Sequence, residues 1–332
     1  MCGIAGLHFR DPALAPRLGE LLGGMLRQAA GRGNDSAGVG LYADPATVPP
    51  GQSTICLLGG DVGDASDVGD ASAGSAANGS ANSVASLVAA ADPTLEQVTA
   101  GRFGQSLVLT ARAPEAALEA AALAALPGAV VISRGQSLTV LKGTGEPEAL
   151  AADWRLADRG GWQGVAHTRM ATESAVTPGG SHPFSVGSDQ CLVHNGSFSN
   201  HESIRKTLVK KGIRFDSLND TEVGARFVAD RLADGATMRQ ALTDLTRVFD
   251  GFYTLLVSSA TAFAVVRDAI ACKPAIVAET PQLVAVASEY RYLTGLPGIE
   301  TARIFEPDPE VVYVWERSPS TSQLASTSAS AR

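Results

Sequence analysis

The sequence contains no uncharged apolar run of the roughly 18 to 20 residues that a membrane-spanning helix requires. Its start, MCGIAGLHFRD, also lacks the basic region and apolar stretch of about 7 to 15 residues that mark a secretory signal. A cytoplasmic location is the expectation. Basic charge is in short supply as well, since 26 Lys and Arg stand against 34 Asp and Glu for a net charge of −8. A general nucleic-acid or membrane-surface binder would carry the opposite balance, so neither is expected as a partner. Cysteine is scarce: Cys2, Cys56, Cys191 and Cys272 are scattered without a C-x-x-C pair. That excludes a disulfide framework or an iron–sulfur cluster held by this chain. Aromatic residues make up only 5%, an accompaniment of an alanine-rich composition, while a hydrophobic content of 45% still suffices for a core.

What is present is unevenly placed. Of five histidines, His167, His182, His194 and His201 fall in one short segment and only His8 lies outside it. CGIAGLHF reads as a strand, PRLGELLGGMLRQAA places Leu18, Leu21, Leu22, Met25 and Leu26 on one helical face, and AGVGLYA is a second strand. From Asp61 to about Asn82 the composition collapses into DVGDASDVGDASAGSAANGSAN, a tandem repeat with little to bury, read as a mobile insertion. Structure resumes near Arg102 with strands in SLVLTAR, AVVIS and SLTVLKG around a helix in PEAALEAAALAAL. QGVAHTR and DQCLVHN are further buried strands, and helices follow from about Asn200 to Lys211 and Asp220 to Leu232. Strands in GFYTLLVSS, TAFAVVRD, QLVAVAS and VVYVW complete the pattern. Strands in runs with helices between the runs imply an α+β layered fold on antiparallel sheets. The final SPSTSQLASTSASAR is a polar tail, expected to be disordered.

Several of these residues can carry chemistry. Loss of Met1, favoured by the small side chain that follows it, would give Cys2 a free α-amino group. An α-amine titrates near 7.7 to 8.0 and a thiol near 8.5, so one residue would supply nucleophile and base together. The plain alternative is an incidental cysteine in a buried strand. Arg169, at the end of a strand, can hold a carboxylate bidentately or form an ordinary salt bridge. Asn195 and Gly196 mark a turn, either a simple hairpin or a pair of amide donors for an oxyanion. Asp220 opens a helix, as an N-cap or as an acceptor for a substrate ammonium. Cys191 and His194 are three apart on a strand, so alternation sends them to opposite faces and a shared metal is not expected.

Together, MCGIAG at the start, GRGNDSAG from Gly31, HTRMAT from His167, SHPF around His182, HNGSFSNHESIR from His194 and NDTEV around Asp220 resemble, in order, the motifs of class II glutamine amidotransferases. These are N-terminal-nucleophile hydrolases, and the resemblance implies a four-layer αββα sandwich. It covers residues 1–44 and about 160–230 well, and 250–295 more loosely through DGFYTLLV, VVRD and ASEYRYL. It implies that Cys2 attacks L-glutamine and forms a γ-glutamyl thioester, with Asn195 and Gly196 as the oxyanion hole. Arg169 would bind the substrate carboxylate with Thr172 nearby, Asp220 the ammonium, and Arg32 would lie near the nucleophile. His182 and His194 are read as scaffold. Asn34 and Met170 stand where the sugar-phosphate aminotransferase relatives carry aromatics, which speaks against that subfamily.

One domain over 1–316 is therefore expected, with a disordered low-complexity insertion over about 45–92, a poorly matched α/β segment over about 101–158, and a disordered tail over 317–332. No acceptor domain is evident. HTRMATESAVTPGGSHPFSVGSDQCLVHNGS, VVRDAIACKPA and LPGIETARIFEPDPEVVYVWE look closest to stand-alone amidotransferase subunits of split glutamate-synthase-like or N-methylglutamate-synthase-like enzymes. That implies a hetero-oligomer in which this chain holds no cofactor, with FMN and an iron–sulfur cluster as candidates for the partner subunits. A different acceptor, such as a glutamine-synthetase-like ligase, and a non-catalytic glutamine-sensing adaptor are the alternatives.

Overall fold

GIAGLHF, SAGVGLY and QGVAHTR form the middle of a seven-stranded antiparallel sheet, and every one of their residues is buried. The computed structural model describes residues 2–59, 73–170 and 176–317, with 73–80 as backbone alone. The sheet runs β14 (Arg303–Phe305), β12 (Ile276–Glu279), β13 (Leu283–Ala287), β1 (Gly3–Phe9), β8 (Gln163–Arg169), β2 (Ser36–Tyr42), β7 (Leu138–Thr144). Burial of both faces explains the near-continuous apolar character of the central strands. One face is covered by α1 (Leu18–Ala29), which turns Leu18, Leu22, Met25, Leu26 and Ala29 inward at helical spacing. The other packs on a second antiparallel sheet, β15 (Tyr313–Glu316), β11 (Ala262–Arg267), β10 (Gly251–Ser259), β9 (Gln190–Phe198).

The outer face of that second sheet carries α5 (His201–Lys210), α6 (Asp220–Ala233) and α7 (Met238–Val248). Alternation along β9 divides its side chains between two cores. Cys191 and Val193 join the core between the sheets, while Leu192 packs with Phe198, Val223 and Leu245 under the helices. The result is the expected α+β arrangement of four layers, helix, sheet, sheet, helix. No helix among the described residues is long and apolar enough to cross a membrane.

The insertion departs from expectation. STICLL, inside the span expected to be disordered, is the fully buried strand β3 (Ser53–Leu58). It pairs on one side with β5 (Ser106–Arg112) and on the other with β6 (Val130–Gly135), while β4 (Glu96–Phe103) closes a third sheet in the order β4-β5-β3-β6. Helices α2 (Ala73–Ala91) and α3 (Glu115–Ala125) pack on it, so that Val84, Val88 and Leu118 bury against Ile55, Leu57 and Leu109. Partners some fifty to eighty residues downstream give β3 its burial, and local composition carries no trace of them. The segment expected over about 101–158 divides accordingly: β5, α3 and β6 belong to the third sheet, whereas β7 is the edge of the large one. Both DVGDAS copies, in 60–72, and the tail from 318 onward lie outside the described residues.

Strand register gathers the motif residues at one end of the sandwich. Gly3 pairs with Thr168 and Ile4 with His167, so the start of β1 lies against the end of β8. Ser36 pairs with Arg169, bringing the start of β2 to the same edge. A bond between His167 Nε2 and the His194 carbonyl at 3.1 Å joins this end to the last residues of β9 in the facing sheet.

Candidate active site

Cys2 sits half-buried immediately before β1. Arg32 Nε donates to its carbonyl at 2.9 Å, and the same guanidinium is paired through Nη1 with Glu289 Oε1 at 2.7 Å. Arg32 is buried, whereas Glu289 is a third exposed and also holds Arg291 Nε at 2.7 Å. The hydrogen bond from Arg32 is the main reason that the Glu289 carboxyl lies below its ordinary range. Next along the chain, Ile4 N–H donates to Ser288 Oγ at 2.9 Å. The backbone of the first residues is thus clamped by the segment after β13. Arg32 falls beside Cys2, with its Nε hydrogen bond made to the Cys2 backbone carbonyl. Ser288 and Glu289, from ASEYRYL at the end of a strand, add to the residues that the motifs point to.

Asn195 and Gly196 were read as a turn, and the structure corrects this: β9 continues through both to Phe198. Asn195 pairs with Thr254 and Gly196 with Tyr253. Gly196 has φ +141°, and a Cβ there would lie 2.0 Å from the Phe252 carbonyl oxygen, so only glycine fits and its peptide is re-aimed without ending the strand. Asn195 is 2% exposed, yet its side-chain Nδ2 has no hydrogen-bond partner among the described residues. A buried donor left unmet costs about 1 to 3 kcal/mol, and such groups need an account.

Asp220 is the first residue of α6 and not its N-cap. Asn219 takes the cap, accepting from Thr221 N–H at 2.8 Å, which frees Asp220 to reach toward β9. Asp220 Oδ2 accepts from Phe198 N–H at 2.9 Å and lies 4.0 Å from His194 Nδ1. Its carboxylate therefore stands at the helix N-terminus beside the Ser197–Phe198 peptide of β9, where the helix dipole favours negative charge.

Beneath these groups lies a buried polar chain. His182 Nε2 and His194 Nδ1 both meet Thr221 Oγ1, at 3.0 and 2.9 Å, and the rings of His167 and His182 stack at 4.0 Å. Because a carbonyl can only accept, His167 carries its proton on Nε2. Burial pushes all three imidazoles down, His167 to about 3, so the cluster is neutral at ordinary pH. His182 and His194 face side chains and backbone within the protein, the placement of scaffold groups.

Arg169 is 6% exposed, and Asp35 N–H donates to its carbonyl at 3.1 Å. Its side chain lines a cavity of about 550 Å³ together with Lys142, Gly180, Phe184, Asn219 and Glu222. Thr172 lies outside the described residues. Among the described residues no cluster of His, Cys, Asp or Glu is arranged to hold a metal ion. This end of the sandwich thus carries a thiol, a guanidinium, a carboxylate and an amide donor without a partner among the described residues, a set suited to an amino-acid substrate and an acyl-transfer step. The 550 Å³ cavity itself is lined by Arg169 and by none of Cys2, Asn195, Gly196 or Asp220.

Residues 167–295 match the family described as the glutamine amidotransferase domain. Over 317 residues the chain is 44% identical to the glutamine amidotransferase-like protein GlxB of Rhizobium meliloti (strain 1021), an alignment that covers 95% of this chain and 98% of that one. It is 34% identical over 130 residues to the isomerizing glutamine–fructose-6-phosphate aminotransferase of Vibrio vulnificus (strain YJ016), covering 39% of this chain and 21% of that one. Among solved structures, the glutamine phosphoribosylpyrophosphate amidotransferase of B. subtilis matches with a TM-score of 0.56 at 16% identity, over 96% of this chain and 50% of that one. That last likeness is one of fold.

Proposed function

We propose that this chain, which belongs to the glutamine amidotransferase family, is a glutaminase subunit that hydrolyses L-glutamine to glutamate and ammonia through Cys2. The observation that carries the reading is the buried Asn195 Nδ2, a donor without an acceptor among the described residues, on a strand of the sheet that faces the one Cys2 leads into. Substrate would supply the missing acceptor. Once Met1 is removed, the Cys2 thiol gives its proton to the α-amine and attacks the side-chain amide carbon. The oxyanion accepts from Asn195 Nδ2 and the Gly196 N–H, and the C–N bond breaks as the amine returns the proton to the leaving nitrogen. Ammonia departs and a γ-glutamyl thioester remains. Water, deprotonated by the same amine, cleaves the thioester to release glutamate and regenerate the thiol. Arg169 binds the substrate α-carboxylate, a role the family resemblance also gives to Thr172, and Asp220 binds the α-ammonium; Arg32 fixes the Cys2 backbone.

The ammonia is proposed to pass to a glutamate-synthase-like or N-methylglutamate-synthase-like partner that carries FMN, this chain binding no flavin. Support for that assignment is the resemblance of the segments from His167, Val265 and Leu296 to stand-alone subunits of such enzymes. Ammonia release from glutamine by the complex purified with its partners, compared with Cys2→Ala, tests the chemistry. Equal release by the two proteins would favour the non-catalytic adaptor. Flavin absorbance in the co-purified partners tests the assignment, and a nucleotide-dependent ligase in their place would point to a different acceptor.

A further inference from the structure

Lys142 is a lysine in the interior that neither the proposed chemistry nor the sequence motifs use. It lies on β7 with 3% of its surface exposed. Its Nζ donates to the carbonyl oxygens of Ser181 at 2.9 Å and of Gly179 and Pro183 at 3.3 Å each. Three acceptors meet the three N–H bonds of an ammonium. Burial pushes the pKa of the Lys142 ammonium down to about 7, opposed by the charge of buried Glu222 on α6, and the Phe184 ring lies 4.8 Å from the same nitrogen. All the carbonyls belong to the segment between β8 and β9.

Room for this arrangement comes from β2. Gly38 stands opposite Lys142 in the sheet, and a Cβ at Gly38 would lie 2.0 Å from the His182 carbonyl oxygen. The missing side chain lets the segment lie down on the sheet within reach of Lys142. The same segment borders one of the groups assigned to the substrate's amino-acid end, Arg169, and bonds the chain neighbour of the other, Asp220. A Cβ at Gly180 would be 3.4 Å from Arg169 Nη1, and His182 Nε2 bonds Thr221 Oγ1, the residue after Asp220. One cation therefore fixes a strap that borders the guanidinium and, through Thr221, the start of α6.

We infer that Lys142 is a positioning residue for glutamine binding, whose ammonium pins the Gly179–Pro183 strap so that Arg169 and Asp220 are held at the spacing of the substrate's carboxylate and ammonium. This rests on the glutaminase reading above. Lys142 reaches neither substrate nor the reacting atoms; it acts through the strap. A mere structural staple would lower stability without selecting among kinetic constants, whereas a positioning role falls on substrate binding.

The test is the glutamine KM and kcat of Lys142→Met in the complex, with amide hydrogen exchange over 176–184. The expected result is a KM raised about tenfold or more with kcat within about threefold of wild type. Exchange of the Gly180 and Ser181 amides should quicken about tenfold, while α1 is unchanged. An unchanged KM, an unchanged strap exchange, or a loss confined to kcat would overturn the inference. Lys142→Gln, which keeps two donors, is made beside it and should raise KM less. Should neither variant fold, wild-type exchange decides: slow exchange at Gly180 and Ser181, in a partly exposed turn, is required, and fast exchange there overturns the strap. If the wild type turns over no glutamine, the glutaminase reading fails by that result alone, and the exchange comparison still reports on Lys142.

Discussion

Replacing Asn195 by alanine should separate stability from catalysis. In the folded protein its Nδ2 is buried with no partner among the described residues. Removing an unmet donor relieves about 1 to 3 kcal/mol. Against this stands the packing lost with a short side chain, about 1 to 2 kcal/mol at ~0.8 kcal/mol per buried carbon-sized group. The two nearly cancel, so stability should move by no more than about 1 kcal/mol, roughly 2 to 4 °C in Tm. On the proposed mechanism catalysis has no such compensation, because the donor would meet its acceptor only when the oxyanion forms. Loss of an oxyanion donor costs about 100-fold to 1,000-fold in kcat, or roughly 2.7 to 4 kcal/mol, with KM nearly unchanged. Steady-state ammonia release and a thermal melt on the same preparation read both quantities. A fall of several kcal/mol in stability would show that Asn195 is a satisfied scaffold amide. A pure KM effect would place its contact in the ground state and refute the oxyanion assignment.

Arg169→Lys keeps the charge but loses the planar fork, and KM for glutamine should rise by the equivalent of about 1.5 to 3 kcal/mol, roughly 10- to 150-fold. An unaltered KM removes Arg169 from the carboxylate site. Glu289→Ala leaves the buried Arg32 guanidinium without its carboxylate, so stability should drop by about 1 to 3 kcal/mol and labelling of Cys2 by a glutamine-analogue electrophile should slow. Labelling at the wild-type rate would show that the clamp does not position the nucleophile. Acid should weaken the fold through the three buried imidazoles. His167 is pushed from 6.5 to about 3, so between these values the unfolded chain binds a proton that the folded one does not. Stability is therefore fully present above about pH 6.5 and falls on acidification by up to about 1.4 kcal/mol per pH unit for each such histidine. Melting curves between pH 7 and 4.5 measure this slope, and His167→Gln should flatten it; an identical slope in the variant contradicts the assignment.

Much of the site could be read from the sequence because its members occupy positions with local signatures. Cys2 precedes a short buried strand, Arg169 ends one, and Asp220 follows a capping residue. Even there, local rules misled at two points. Asn-Gly suggested a turn, but Tyr253 and Thr254 on β10 keep β9 extended through it. Asp220 looked like the cap, yet Asn219 serves as one and Asp220 turns to Phe198. The remainder is set at long range. β3 owes its burial to β5 and β6, Glu289 meets Arg32 across 257 residues, and Lys142 in SLTVLKG reads as the polar end of a strand until the 179–183 segment closes over it. Helix α7 has a capping box at Thr237 and Gln240 that was not read, although Leu242 and Leu245 follow it at helical spacing.

The central claim is that Cys2, freed of Met1, is at once the nucleophile and the carrier of the base. Intact-mass spectrometry of catalytically active protein, before and after one equivalent of a glutamine-analogue electrophile, tests it most directly. The account predicts a mass lower by one methionine residue and a single adduct on Cys2 that appears in step with loss of ammonia release. Fully active protein that retains Met1, or inactivation with the adduct on another residue, would contradict it.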